Sequence, residues 1–289
     1  MERYGKEGLS GLLPWPGSEA NKYSRGKLIL LAGSSRYPGA ACLAARAGLR
    51  AGAGYVEVVT SPRAVPVVQG AQSSLVARSW NGFGPEDLQA TQAKKPCAYA
   101  VGSGFDAERN ITATLTCLVL GKAHAPVLVD GGALSVLNSS AGMTLCKSRL
   151  TDGYATVITP HRGEAERLLT GVNVALDDPA CIASELSVRY HAITVLKGPI
   201  TYVSDGNDVF ALTQGTSALA KAGTGDVLSG VIGAFLAQGL DPFDAAILGT
   251  SLHAEAGCLA ADALTSLCVT AEDVIEYFPE AIKALLEDK

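Results

Sequence analysis

Short apolar runs alternate with longer stretches in which apolar residues recur at helical spacing, and this alternation covers most of the chain. An apolar run at residues 27–32 precedes a small-residue helix pattern over residues 40–51, and a second apolar run follows at residues 55–60. A strand, a helix and a strand in this order are typical of a parallel sheet. Further strands are predicted at residues 97–101, 127–129, 156–159 and 193–196, with helices at 108–122, up to residue 169 and at 179–190.

The pattern changes in the last third of the chain. Two short apolar runs, 201–203 and 209–211, flank Asp205-Gly206, which predicts a hairpin. Helices are predicted after Gly225, after Asp241 and after Thr270, the last two with capping residues at their starts. We therefore expect an α/β fold with one domain at residues 27–289, preceded by an N-terminal arm at residues 1–26.

The stretch Ala222-Gly-Thr-Gly-Asp-Val-Leu-Ser-Gly230 stands at the entrance of the first of these helices. The first amides of a helix have no partner within it, and glycine allows a phosphate to approach them closely. A carboxylate would repel a phosphate, so Asp226 is expected to face a second reactant and to accept a proton from its hydroxyl. The structural alternative is a glycine turn followed by an Asp that stabilises the first helical turn, and the stretch alone does not separate the two.

Other unusual residues follow the predicted strands, and the carboxyl ends of parallel strands meet at one edge of a sheet. His161 is either a ligand contact or a loop residue, and Lys197 is either a phosphate contact or a surface charge. Asp130 either holds a metal through water or caps a turn. Gly102-Ser103-Gly104 is only part of a dinucleotide fingerprint, and no GxxxxGK[ST], GxSxG or HExxH pattern occurs.

Composition narrows the class of protein. The formal net charge is −5 and 18% of the residues are charged, which argues against a nucleic-acid surface and against disorder. No apolar stretch is long enough to span a membrane, and the first residues lack the apolar core of a signal peptide. Seven cysteines without a CxxC pair indicate free thiols in a reducing, cytoplasmic environment.

Together, these motifs resemble the NAD(P)H-hydrate dehydratase family, a branch of the ribokinase-like superfamily. The similarity runs in order over nearly the whole chain: residues 27–34, Pro-Gly-Ala-Ala at 38–41, Thr-Pro-His-Arg-Gly-Glu at 159–164, Lys-Gly-Pro-Ile-Thr at 197–201, the 222–230 stretch and Ala-Gln-Gly-Leu at 237–240. The resemblance implies a three-layer sandwich with a central, mostly parallel sheet and helices on both faces. It also implies repair of damaged nicotinamide cofactors, by dehydration of the S epimer of NADH or NADPH hydrate with ADP or ATP and Mg²⁺.

The resemblance assigns roles to individual residues. The catalytic residue would be Asp226, at the reacting hydroxyl. The hydrate would contact Ala41, Gly104, His161 and Asp226. The adenine nucleotide would contact Lys197, Gly198, Pro199, Ile200, Thr201, Gly223, Thr224 and Gly225. It gives no metal ligands, and it implies a homo-oligomer and a separate NAD(P)H-hydrate epimerase as the pathway partner, because only about 26 residues precede the first strand.

The chain departs from the family's usual pattern at residues 36–41, 101–105 and 130–134, which line the expected hydrate side, and at Ala222. One alternative is therefore a small-molecule kinase of the same fold that phosphorylates a vitamin precursor. A second is a nucleotide-binding protein without activity, which Asp226 and Lys197 argue against. The sequence does not decide between ADP and ATP or between the two hydrates.

Overall fold

The computed structural model describes residues 4–92, 96–105 and 109–287. The strands are β1 (Lys27–Leu31), β2 (Tyr55–Thr60), β3 (Val76–Ser79), β4 (Cys97–Val101), β5 (Val127–Val129), β6 (Thr156–Ile158), β7 (Ile193–Leu196), β8 (Thr201–Ser204) and β9 (Val209–Leu212). The helices are α1 (Lys6–Gly11), α2 (Pro38–Arg50), α3 (Val65–Ala71), α4 (Pro85–Gln92), α5 (Arg109–Lys122), α6 (Leu134–Leu137), α7 (Ser140–Thr151), α8 (Arg162–Leu168), α9 (Pro179–Tyr190), α10 (Thr224–Ala237), α11 (Pro242–Leu264) and α12 (Ala271–Leu286).

All nine strands form one sheet in the order β3-β2-β1-β4-β5-β6-β7-β8-β9. The strands β1 to β7 are all parallel to their neighbours in this order. β8 and β9 form the predicted hairpin, and β8 joins β7 antiparallel. One core lies between the sheet and helices that include α2, α10, α11 and α12, and a second lies on the other face beneath helices that include α5, α8 and α9. The three-layer, mostly parallel α/β architecture is therefore confirmed.

The predicted strands and long helices are present, with small differences at their ends. Glu108, the predicted first residue of α5, lies outside the described residues. The pattern did not predict β3, α1, α3, α4, α6 or α7. β3 is a four-residue edge strand with intermediate or exposed side chains, so it lacks the apolar run by which a buried strand is recognised.

The segment predicted as an arm contains α1 and contacts the rest of the chain. The Tyr4 hydroxyl donates to Asp244 Oδ1 at 2.8 Å, and its ring lies edge-on to Phe210 and Phe243. The division into an arm and one domain stays a prediction. Within the described ranges, no helix is both long and apolar enough to cross a membrane.

Helices α2 and α10 approach each other at backbone distance. A Cβ built on Gly230 of α10 would lie 2.1 Å from the carbonyl oxygen of Ala44 in α2, and Gly48 faces the same contact from α2. Because a side chain at Gly230 would overlap that backbone, glycine is required where the two helices meet. The contact fixes α10, whose first residue is Thr224, against α2, which follows β1 in the chain.

Arg149, which is 3% exposed, joins the segments at the amino ends of the central strands β5 and β6. Its guanidinium donates to the carbonyls of Ala123, Ala125 and Ala155 and to the Thr156 hydroxyl, at 2.6–3.0 Å. Burial lowers the pKa of Arg149 to about 10, which leaves it charged at neutral pH. One side chain on α7 thus fixes the segments that lead into β5 and β6, at the amino ends of these three-residue strands.

We expect Arg149→Met to reduce the free energy of unfolding by about 3 kcal/mol, because it leaves buried carbonyls without donors. Urea denaturation at pH 7 measures the change. Arg63→Met, which removes an exposed arginine, serves as the control and should cost less than about 0.5 kcal/mol. A loss for Arg149→Met as small as that of the control would mean that the guanidinium does not hold these segments.

Candidate active site

The carboxyl ends of the parallel strands and the N-terminus of α10 meet at one edge of the sheet. Asp130 follows β5, Lys197 follows β7, and the 102–105 segment follows β4. His161 and Lys197 form an isolated parallel bridge beyond β6 and β7, which brings the 159–164 loop to the same edge. The predicted gathering of strand-end loops is therefore present.

The entrance of α10 requires a glycine. Gly223 has a φ of +96°, and a Cβ there would lie 2.6 Å from Leu43 Cδ1 and 2.9 Å from Ala271 Cβ. The Thr224 hydroxyl donates to the carbonyls of Leu219 and Lys221 at 2.8 and 2.9 Å, which holds the preceding turn. The predicted helix start is confirmed, and its first amides face the edge where the loops converge.

Two cavities lie on either side of this helix start. A cavity of about 470 Å³ is lined by residues that include Lys197, Gly198, Pro199, Thr201, Thr224, Gly225 and His253. A more open cavity of about 390 Å³ is lined by Tyr37, Ala40, Gly104, Phe105, Gly131, Gly132, Glu164 and Asp226. After the ligand contacts that the family resemblance implies, we call them the nucleotide-side cavity and the hydrate-side cavity. Residues of one helical turn therefore line both cavities, Thr224 and Gly225 the first and Asp226 the second.

Lys197, in the wall of the nucleotide-side cavity, forms an ion pair with the buried Asp130. Lys197 Nζ is 2.9 Å from Asp130 Oδ1, and Asp130 is 3% exposed. Burial alone would raise the pKa of Asp130, but Lys197 and the hydroxyls of Thr159 and Ser229 outweigh burial and lower it. Burial alone would lower the pKa of Lys197, but nearby carboxylates, Asp130 first, outweigh burial and raise it. Both groups are therefore charged at neutral pH.

Asp226 has the properties of a general base. Burial, and then the negative charge of Asp130, raise its pKa to about 6, against a hydrogen bond from Ser103 and the charge of Lys197. A carboxyl group with a pKa near 6 is ionised at pH 7 but holds a proton more tightly than an ordinary aspartate does. Asp226 can therefore accept a proton from a group in the hydrate-side cavity.

His253 is a buried, neutral member of the nucleotide-side cavity wall. Its Nε2 lies 3.0 Å from the carbonyl oxygen of Thr224, to which it donates as the neutral tautomer. Burial, with help from the charge of Lys197, lowers the pKa of His253 to about 4. The imidazole thus joins α11 to the first residue of α10.

The family is decided by comparison with known proteins. The model of the NAD(P)H-hydrate dehydratase family matches residues 28–280. The chain belongs to this family. A bifunctional NAD(P)H-hydrate repair enzyme of Thermofilum pendens is 32% identical over 288 residues, which cover 96% of this chain and 53% of that protein. The chain therefore spans about half the length of this bifunctional relative.

Two further relatives are nearer to this chain in length. An ADP-dependent (S)-NAD(P)H-hydrate dehydratase of Xanthomonas campestris is 30% identical, over 85% of this chain and 83% of that protein. The crystal structure of an ADP/ATP-dependent NAD(P)H-hydrate dehydratase from Bacillus subtilis, co-crystallised with ATP and Mg²⁺, superimposes with a TM-score of 0.80 at 26% identity and 98% coverage of both chains. The fold of the family thus extends over nearly the whole of this chain.

Most residues that the family resemblance assigned to nucleotide line the nucleotide-side cavity: Lys197, Gly198, Pro199, Thr201, Thr224 and Gly225. Gly223 and Ile200 lie beside it. Gly223 shapes the turn, and Ile200 is 40% exposed. Their assignment to nucleotide stays a prediction.

The residues assigned to the hydrate are placed less uniformly. Gly104 and Asp226 line the hydrate-side cavity. The Ala41 side chain is fully buried, and it is the neighbouring Ala40 that lines the cavity. The His161 side chain is 56% exposed and caps α8 by accepting hydrogen bonds from the amides of Gly163 and Glu164. Side-chain contact with the hydrate thus has direct geometric support only for Asp226.

Tyr37, Glu164 and His253 are among the cavity residues that were not predicted. Glu164 belongs to a motif that was recognised, where it accepts from the His161 amide at 2.8 Å. Tyr37 stands in a segment that departs from the family pattern. His253 lies within an apolar helix and gives no signal in the sequence. Among the described residues there is no cluster of three or more His, Cys, Asp or Glu side chains that could hold a metal.

His253 predicts that the protein loses stability in acid. Its pKa in the folded state lies below the 6.5 of the ordinary imidazole, so the unfolded chain binds the proton more tightly, and stability falls as the pH drops from about 6.5 towards 4. We expect this group alone to remove about 2 kcal/mol between pH 7.5 and pH 5.

Urea denaturation at both pH values compares the protein with His253→Gln, which keeps a donor for Thr224 but does not titrate. The pH-dependent loss should be smaller in that variant by the same amount. His124→Gln removes an exposed histidine and should leave the pH dependence as it is. Equal pH dependence in all three proteins would contradict a buried, neutral His253.

Proposed function

We propose that the protein dehydrates the S epimer of NADH or NADPH hydrate to the intact cofactor, at the expense of ADP or ATP. The observation that carries the proposal is the position of the α10 entrance between the two cavities. Thr224 and Gly225 line the nucleotide side, and Asp226 lines the hydrate side. A phosphoryl group and a hydroxyl can therefore meet across one helical turn, beside a carboxylate with a raised pKa.

The reaction begins with a proton transfer. In the hydrate, the hydroxyl is bonded to the carbon beside the ring nitrogen, and hydroxide is a poor leaving group. Asp226 accepts the hydroxyl proton while that oxygen attacks the terminal phosphorus of ADP, and the bond from this phosphorus to AMP breaks. The carbon–oxygen bond then breaks as the nitrogen lone pair forms a double bond to that carbon, and phosphate leaves. Loss of a ring proton restores the dihydropyridine.

The transferred phosphoryl group carries negative charge that the α10 entrance stabilises. The first amides of α10 and the partial positive charge of the helix terminus face the nucleotide side. Lys197 Nζ lies next to Gly225, 3.5 Å from where its Cβ would stand. Mg²⁺ would be carried by the nucleotide phosphates and would supply further neutralisation of their charge. The epimerase partner, the homo-oligomer and the cytoplasmic location stay predictions.

A kinase of the same fold would use the same base and the same helix terminus but release a stable phosphate ester. Family membership favours the dehydratase, because the matched model and the Xanthomonas relative both carry that name. The two activities differ in whether dihydronicotinamide absorbance returns. The test is therefore to incubate the protein with Mg²⁺, the S epimer of NADH hydrate and either ADP or ATP, and to follow that absorbance.

Recovery of absorbance that requires a nucleotide would establish the activity and show which nucleotide is used. No recovery, with ADP binding retained in calorimetry, would overturn the dehydratase proposal and favour the kinase. Parallel reactions with NADPH hydrate measure the preference between the two substrates. Each reaction needs one control without nucleotide and one without protein, so that absorbance changes that do not depend on them can be subtracted.

We expect Asp226→Asn to lower the turnover rate by about 100-fold or more while ADP affinity stays within about threefold, since the amide cannot accept the proton. Steady-state kinetics and calorimetry measure the two quantities. Asp262→Asn changes an exposed aspartate of α11 and should be fully active. Near-normal turnover by Asp226→Asn would remove this residue from the chemistry.

The pH dependence of the reaction follows from the ionisation of Asp226. Only the carboxylate accepts a proton, so kcat/KM should rise tenfold per pH unit in acid and level off above about pH 6. Rates measured from pH 4.5 to 8 at saturating nucleotide define this limb. The residual activity of Asp226→Asn should lack it, and an acid limb with the same midpoint in that variant would assign the titration to another group.

A further inference from the structure

Asp130 is a buried carboxylate that the proposed chemistry does not touch, and four side chains converge on it. Oδ1 accepts from the Thr159 hydroxyl at 2.7 Å and from Lys197 Nζ at 2.9 Å. Oδ2 accepts from the Ser229 hydroxyl at 2.8 Å and from the Ser103 hydroxyl at 3.4 Å. An ammonium group and hydroxyl groups directed at both oxygens stabilise the ionised form of this carboxylate.

The surroundings of Asp130 lead directly to Asp226. The Ser103 hydroxyl lies between the two carboxylates and can give its one proton to either of them. Ser229 stands one turn after Asp226 on α10, where its hydroxyl also contacts the Gly225 carbonyl. Lys197 is attracted by Asp130 first, then by Glu164, and less by Asp226. The ammonium group therefore has three carboxylates near it, and its hydrogen bond goes to Asp130.

We propose that Asp130 is a positioning residue for catalysis: its carboxylate holds the Lys197 ammonium at the nucleotide side and keeps Asp226 unpaired and basic. The proposal rests on the proposed function, in which Asp226 is the general base. It adds that this basicity is maintained by a charge that never meets the substrate.

Two nearby charges, those of Asp130 and Lys197, act on Asp226 in opposite directions. A nearby carboxylate disfavours ionisation of Asp226, whereas a nearby ammonium favours it. Without Asp130, the Lys197 ammonium would act on Asp226 with no opposing charge, and Asp226 would become a weaker base. Within the part of the chain that the structure describes, Asp226 is affected by Asp130 after β5, Ser103 after β4 and Lys197 after β7. Glu164 of α8 lines the same cavity and attracts Lys197, and the neutral His253 of α11 lies near Lys197.

The test measures the ionisation of Asp226 without relying on activity. Protein labelled with ¹³C at the aspartate carboxyls is titrated by NMR, and the signal missing from Asp226→Asn identifies Asp226. In Asp130→Asn, which removes the charge but keeps the shape, the midpoint should fall by about one pH unit or more. The acid limb of kcat/KM should move by the same amount, and the plateau rate should fall because the base is weaker.

A matched control separates the charge of Asp130 from the stability of its surroundings. Thr159→Val removes one donor to Asp130 but keeps its charge and nearly keeps the volume. This variant should melt at a lower temperature while the Asp226 midpoint stays where it is in the unaltered protein. If the midpoint in Asp130→Asn is unchanged or higher, the proposal is overturned.

A second comparison applies if Asp130→Asn does not fold, since it leaves a buried ammonium without its partner. Lys197→Met and the double variant Asp130→Asn/Lys197→Met differ only in the charge of Asp130, and the double variant contains no unpaired charge at this place. The Asp226 midpoint should be lower in the double variant than in Lys197→Met, and equal midpoints would overturn the proposal. The NMR result stands whether or not the dehydratase assay succeeds, so a failure of the proposed function remains distinguishable.

Discussion

The ion pair between Asp130 and Lys197 is the interaction on which the site depends. Its two residues follow β5 and β7, and the hydroxyls that complete it come from segments after β4 and β6 and from α10. Removing two charges from water is costly, and the hydrogen bonds around Asp130 offset much of that cost. The pair therefore forms only when five separate segments are correctly placed, and it fixes the base, the helix entrance and the lysine relative to one another.

Much of the architecture could be predicted from the apolar pattern. Strands such as β1 and β4 are buried on both faces and appear as continuous apolar runs, which identify a parallel sheet. Elements in which apolar and polar positions differ less clearly were not predicted. β3 is a short edge strand, and α7 has no clear apolar face, because its buried positions include Gly142 and Arg149. The strand order also required the structure, since the return of β4 to the other side of β1 leaves no local trace in the sequence.

The candidate site, too, could be predicted only in part from the sequence. The glycines before Asp226 predicted a helix entrance, because their conformation and close contacts are local requirements. The pairing of Lys197 with Asp130 joins residues 67 positions apart, so the sequence left each of them with two interpretations. Ala41 shows a finer limit: a motif identifies a turn of helix, but which of two neighbouring alanines faces a cavity depends on how that helix is rotated against the sheet.

The contact of Gly230 with Ala44 has a consequence for how such a site can change over generations. Because it involves main-chain atoms, this contact fixes α10, which bears Asp226, relative to α2, which begins at the hydrate-side cavity. Side-chain substitutions elsewhere do not move these atoms. The walls of that cavity, Tyr37 and Phe105 among them, can then be exchanged without displacing Asp226. Tyr37 and Phe105 lie within the departures from the family pattern at residues 36–41 and 101–105, so the fit to the substrate can change at these two side chains. Gly102 and Gly104, with φ of +121° and +73°, are in contrast held by close contacts with neighbouring segments.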